Sequence, residues 1–181
     1  NTPAAVLEVI ARFSAIALDP CSNARSIVPA RVAWLGGSRN SDGLRRSWAT
    51  ALRAAPKGIA FVNPPYGREI AAWIRKCRAE AARGVEVIAL VPARTDSRWY
   101  QAAHPDAICE WRGRIAFLDG ETGRQIGNQT GRPAAAKFPS ALFYFGARPD
   151  RFRDVFHDHG IVRLSSAAQR KARAPATAGA A

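Results

Sequence analysis

The sequence predicts an α/β fold, a central mixed but mostly parallel sheet flanked by helices. Three observations carry this. Short apolar runs of strand length alternate with stretches of helical periodicity. The clearest helical stretch, residues 68–83, stops at Gly84 and passes into the apolar run of residues 85–91. Further strand-like runs come late in the chain and imply a mixed sheet edge.

Taken in order, Thr2-Pro3 reads as a helix start, with Thr as N-cap and Pro at the first helical position. Val6, Leu7, Ile10 and Phe13 follow at helical spacing and predict a buried face. Residues 15–19 read as a short buried strand ending in Asp19, and 20–31 as a loop. A second short strand is expected over 31–35, a turn over 36–42 and a helical turn within 43–51. Residues 58–62 form a strand, and 68–83 a helix with Ile70, Trp73, Ile74, Cys77 and Ala81 on one face. After the 85–91 strand, 97–103 read as a short helix, and 107–111 and 114–118 as strands around Gly113. Residues 119–137 are polar and Gly-rich, a long loop, and 138–145 carry the last strand. Residues 149–159 are expected to be helical, with Phe152, Val155 and Phe156 inward. Past Ser165 the chain is Ala-rich and basic without an apolar face, which predicts disorder. One domain over 1–164 and a basic tail over 165–181 follow.

Composition narrows the function classes. Lys and Arg number 27 against 14 Asp and Glu, a net charge of +13. Such a balance favours a polyanionic partner, most simply nucleic acid. The competing source is an Arg- and Ala-rich genomic composition, and the charges are spread along the chain. Cys21, Cys77 and Cys109 stand singly with no Cys-x-x-Cys pair, which fits a reducing compartment and argues against zinc. His157 and His159 read as a surface pair at a helix end, so no metal site is expected. No apolar run reaches membrane-spanning length, and no signal pattern opens the chain. The chain lacks Met, so residue 1 is expected to be a truncation or processing point.

Asn63-Pro64-Pro65-Tyr66 stands between the 58–62 strand and the following helix. It resembles the catalytic motif of methyltransferases that act on a planar amino nitrogen. The exocyclic amine of adenine is a poor nucleophile because its lone pair is delocalised into the ring. Two acceptors set against its two N–H bonds favour a more tetrahedral nitrogen whose lone pair can meet a methyl donor. The Asn63 side-chain oxygen is one acceptor and the Pro64 carbonyl the natural second. Pro64 and Pro65 fix φ and remove two N–H donors, so the turn is stiff and acceptor-rich. Tyr66 offers an aromatic face for a base. Asn-Pro-Pro is also ordinary turn chemistry. Its place at the carboxyl end of a strand, where α/β sheets hold ligands, favours the functional reading.

Methyl transfer requires S-adenosylmethionine, and two acids could serve it. Asp19 closes the first strand ahead of Pro20-Cys21-Ser22-Asn23, where a carboxylate can reach the donor's amino group or a water beside it. Asp42-Gly43-Leu44 is a second acid in a turn, able to accept from the donor's adenine. Each also reads as a capping or turn acid.

The ordered set Thr2-Pro3, Leu18-Asp19-Pro20, Asp42-Gly43-Leu44 with Trp48, and Val62 to Gly67 with Trp73 resembles the phage-type DNA N6-adenine methyltransferase family. The resemblance continues through Leu90 to Asp96 with Trp99, Arg112 to Phe117, and Phe138-Pro139-Ser140, about residues 2–146 in all. It implies a Rossmann-like methyltransferase fold, S-adenosylmethionine as donor and adenine in DNA as acceptor. It implies that Thr2 and Pro3 border the donor's methionine end, that Asp19, Pro20 and Cys21 form the first donor-binding motif, and that Asp42, Gly43 and Leu44 meet the donor's adenine. Asn63, Pro64, Pro65 and Tyr66 match its catalytic motif. One departure is the turn after the first strand, where residues 20–24 contain no Gly.

Arg94, Arg98, Arg112, Arg114 and Lys137 are candidate DNA contacts, and the resemblance sets Arg94 and Arg114 beside the site. No segment is long enough for a separate recognition domain, so short or loose sequence specificity is expected. The partner is expected to be double-stranded DNA, the protein a monomer in the cytoplasm of a bacterial host, encoded by a phage or prophage and protecting DNA from restriction. Two alternatives stay open: the same chemistry on RNA or on a protein glutamine, and a nucleic-acid-binding protein without catalysis.

Overall fold

A computed structural model describes residues 1–35, 42–53, 57–119 and 136–173. The strands are β1 (Ile16–Ser22), β2 (Val32–Leu35), β3 (Ile59–Val62), β4 (Val87–Pro92), β5 (Ala107–Trp111), β6 (Ser140–Phe145) and β7 (Gly160–Leu164). The helices are α1 (Ala4–Phe13), α2 (Asp42–Arg45), α3 (Trp48–Arg53), α4 (Ile70–Ala81), α5 (Arg98–Gln101), α6 (Pro149–Phe156) and α7 (Ser166–Arg173), with a 3₁₀ turn at His157–His159. The strands form one seven-stranded sheet in the order β2-β1-β3-β4-β6-β5-β7. β1 to β4 run parallel, and β6 is antiparallel to both β4 and β5. β5 therefore points the same way as β4, and the carboxyl ends of β1 to β5 share one edge. The chain leaves β1 for β2 on one side and returns to β3 on the other, a switch point that opens a crevice at that edge.

Alternation along the strands divides the core into two layers. Ile88 and Leu90 of β4 face a layer with Val6, Leu7, Ile10 and Phe13 of α1 and Phe152 and Phe156 of α6. Val87, Ala89 and Val91 face the other, with Trp48 of α3 and Ile70, Trp73, Ile74 and Cys77 of α4. β3 and β4 are buried on both faces, as central parallel strands require. Each large apolar side chain so buried contributes about 1.5–3 kcal/mol. Aromatic edges tie α1 to α6: Phe13 meets Phe152 at 6.2 Å and Tyr144 at 5.2 Å. The predicted stop at Gly84 holds. Its φ is +89°, and the Val85 N–H returns to the Glu80 carbonyl at 3.1 Å.

Five expectations are corrected. Thr2 is not a helix cap; Pro3 takes that place, with no side-chain cap bond. β1 does not stop at Asp19 but runs through Pro20 and Cys21 to Ser22. A register shift between Asp19 and Ser22 absorbs Pro20, which has no N–H to give the ladder. Residues 114–118 are not a sheet strand: the Leu118 N–H bonds the Asn1 carbonyl, and Ile115 accepts from Ala136. The last strand is β7, not β6. It pairs with β5 at the sheet edge with Ile161 61% exposed, so its pattern lacks a full apolar face. Residues 166–173 are helical rather than irregular.

Candidate active site

Asn63 follows directly on β3, so the central parallel strand aims it at the crevice. A contact from another segment holds it. Its side-chain Nδ2 donates to Thr2 Oγ1 at 3.0 Å. The Pro65 carbonyl is engaged by the Gly67 N–H at 3.0 Å, which closes the turn. No described donor meets the carbonyl of Pro64. Among the described residues the site thus presents two unspent oxygens, Asn63 Oδ1 and the Pro64 carbonyl, on one stiff segment.

Asp19 lies across the same crevice and is 4% exposed. It accepts from the Cys21 N–H at 3.2 Å, and the Ser26 hydroxyl stands at 3.5 Å. Burial raises its carboxyl above the ordinary 3.8, and these neutral donors only partly oppose the rise. Burial and the nearby Asp19 charge push the Cys21 thiol well up, so it is not a poised nucleophile. Thr2, Asp19, Cys21, Ser22, Ser26 and Asn63 line one small polar cavity of about 20 Å³. A far larger cleft, of about 570 Å³, lies elsewhere, between Ser14, Lys57, Gly58, Glu86 and Arg148 where β3 begins. Size alone would select that end, but the chemistry-bearing residues collect at the switch point.

The Gly absent from the turn after β1 has a counterpart in Gly43. A Cβ there would stand 2.0 Å from the Pro20 carbonyl oxygen and 2.8 Å from the Trp73 ring. Only Gly lets α2 seat so closely on β1. Trp48 Nε1 bonds the Gly43 carbonyl at 2.7 Å and locks the contact. Leu44 packs partly buried on the same layer. The Asp42 backbone opens α2, while its side chain lies outside the described residues.

Tyr66 is half-buried, its hydroxyl 3.4 Å from the Leu90 carbonyl, and burial raises its pKa. Phe117 and Phe138 stand nearly perpendicular to it, at 6.0 and 5.5 Å between ring centres. Neither was assigned a role from the sequence, although both fall within the resembling segments. Their flanking position on either side of residues 119–137 was the available signal. That segment, read as a long loop, lies outside the described residues over 120–135.

Arg94, Arg112 and Arg114 follow β4 and β5, and Lys137 precedes β6, so all four share the edge that holds Asn63. Arg98 opens α5, the next element after β4. All five are exposed, and none enters a salt bridge among the described residues. Arg112 donates to the Asp158 carbonyl at 3.2 Å. Among the described residues no cluster could hold a metal, and no helix is long and apolar enough to cross a membrane.

A switch-point crevice with an acid on the first strand and Asn-Pro-Pro-Tyr after the third is the arrangement of a Rossmann-like methyltransferase fold. The chain belongs to the DNA N-6-adenine-methyltransferase (Dam) family, whose model matches residues 1–139. No curated protein and no solved structure matches it.

Proposed function

We propose that the protein transfers a methyl group from S-adenosylmethionine to the exocyclic N6 of adenine in DNA. The observation that carries this reading is the pair of unspent oxygens on Asn63 and Pro64, set beside a buried acid at the switch point. Bound S-adenosylmethionine supplies an electrophilic methyl on a sulfonium. Asp19 fits the donor's amino group: it is a buried carboxylate with neutral hydrogen-bond donors and no cation partner among the described residues. Cys21 and the Gly43–Pro20 contact are proposed to supply the surrounding wall, and the family resemblance assigns Asp42 and Leu44 to the donor's adenine. The small cavity at Asp19 suits only that amino end.

On the acceptor side, Asn63 Oδ1 and the Pro64 carbonyl take the two N–H bonds of the target amine. They draw its lone pair out of the ring and stabilise the positive charge that grows as the N–C bond forms while the methyl's bond to the sulfonium breaks, leaving a neutral thioether. The nitrogen then loses one proton to solvent. Tyr66, with Phe117 and Phe138 around it, gives an extrahelical base an aromatic setting that offsets the few kcal/mol of flipping. Arg94, Arg112, Arg114 and Lys137 engage phosphates along the same edge, and Arg98 does so from the start of α5. A monomer acting on double-stranded DNA with loose specificity accords with this size and charge.

The test is incubation with labelled S-adenosylmethionine and unmethylated DNA, followed by nucleoside analysis. N6-methyldeoxyadenosine is expected. Asn63→Ala should lower kcat by about 10²–10³-fold while DNA binding survives, the scale of removing one preorganised group. Normal turnover by Asn63→Ala would overturn the mechanism, and label appearing only on RNA or protein would overturn the acceptor.

A further inference from the structure

We infer that Thr2 is a positioning residue that sets which end of the Asn63 amide faces the crevice. This rests on the methyl-transfer reading above, in which the amide oxygen must face the target amine. The two ends of a primary amide have almost the same shape, so hydrogen bonds alone choose between them. Turned by half a rotation, Asn63 would present an NH₂ group to the N–H bonds it has to accept. Thr2 Oγ1 accepts from Nδ2 at 3.0 Å, which holds the amino end inward and the oxygen out.

A hydroxyl can serve either end of an amide, so its own proton must be committed elsewhere. Thr2 is 2% exposed and lines the same cavity as Asp19. That cavity, about 20 Å³, is polar and of one-water size. The Asp19 carboxylate, acceptor-only when ionised, draws donors toward itself. With its proton directed into this cavity, Thr2 keeps a lone pair for the Asn63 amino group. Thr2 is itself held in place. The Leu118 N–H bonds the Asn1 carbonyl at 2.9 Å, and Asn1 Nδ2 bonds the Arg25 carbonyl at 2.8 Å. Donor-side loop, catalytic turn and the chain beside Phe117 thus meet at residues 1 and 2.

The test compares Thr2→Val, which keeps shape without the hydroxyl, with Thr2→Ser, which keeps the hydroxyl. We measure kcat and KM on DNA, the dissociation constant for S-adenosylmethionine, and hydrogen exchange of the Asn63 side-chain amide, assigned by its loss in Asn63→Asp. Thr2→Val is expected to lower kcat about 10²-fold, the scale of a misplaced reacting group. Measured at saturating donor, its KM on DNA should stay within about threefold, the pattern of an interaction made only in the transition state. Its Asn63 amide should exchange faster, and Thr2→Ser should restore both kcat and protection. Unchanged kcat and exchange in Thr2→Val would overturn the inference. So would a loss carried wholly by donor affinity, which would make Thr2 a donor contact. If wild-type protein methylates no adenine in DNA, the methyl-transfer reading fails, while the exchange measurement still decides whether Thr2 orients Asn63.

Discussion

Two buried carboxylates, Asp19 at the crevice and Glu80 on α4, sit in opposite electrostatic settings. Glu80 has no exposed surface, yet the protein supplies every partner it has. Lys76 Nζ donates at 2.7 Å, Arg83 at 3.1 Å, and the Ala49 N–H in the first turn of α3 at 3.0 Å. Burial works to raise its carboxyl, but the Lys76 and backbone bonds outweigh it and hold the pKa below the ordinary 4.5. Asp19 is buried almost as fully but meets only neutral donors, and its pKa is raised. A structural acid is completed by its own chain. An acid left incomplete costs stability and is the kind of group a cationic ligand completes.

The largest test of that contrast is Glu80→Ala. It strips the partner from Lys76, only 14% exposed, and from the first turn of α3. Breaking such a pair should cost about 3 kcal/mol. Tm should fall by roughly 6–12 °C in thermal unfolding, about 2–4 °C per kcal/mol in a chain of this size. An unchanged Tm would show that Glu80 is not the tie between α4 and α3. Next comes Gly43→Ala, where the new methyl meets the backbone of Pro20 rather than a yielding side chain. Overpacking there should cost about 1–3 kcal/mol. Donor affinity, read by calorimetric titration, should weaken by on the order of tenfold.

The smallest effect has the opposite sign. Asp19→Asn relieves a buried charge and should raise Tm at neutral pH by roughly 2–4 °C, while methylation falls. The pH dependence separates the two acids further. Asp19 binds its proton more tightly when folded, so its contribution is most favourable below the ordinary 3.8 and is lost as pH rises through the folded value. Glu80 binds its proton less tightly when folded, so its contribution is present above the ordinary 4.5 and is lost as pH falls through the folded value. The Tm gain of Asp19→Asn and the Tm loss of Glu80→Ala should therefore both shrink on acidification. A gain that grew in acid would reverse the assignment for Asp19.

Much of this was legible from local pattern. Helical spacing marked the buried face of α4 up to Cys77, and Gly84 marked its end. The strand–turn–helix setting of Asn63 to Tyr66 was readable too, and the motif does follow β3 and precede α4. Local pattern failed where partners came from afar. Ala81 packs partly buried on the expected face of α4, but its neighbour Glu80 is buried too, by bonds that arrive partly from α3. Thr2 had the local signature of a helix cap, yet its hydroxyl serves a side chain 61 residues away. Phe117 and Phe138 acquired meaning only beside Tyr66.

By itself, then, the sequence determined the alternation of strands and helices, the stiff Asn-Pro-Pro-Tyr turn at a strand end, and the excess of positive charge. These depend on periodicity, fixed dihedrals and composition, which are properties of neighbouring residues. Only the tertiary structure decided that Asp19, Asn63 and Thr2 share one cavity, that Gly43 lets α2 seat on Pro20 of β1, and that Glu80 rather than Asp19 is neutralised by its own chain. Those facts depend on the crossover from β1 to β2 and back to β3, which brings together segments that carry no mark of one another along the chain.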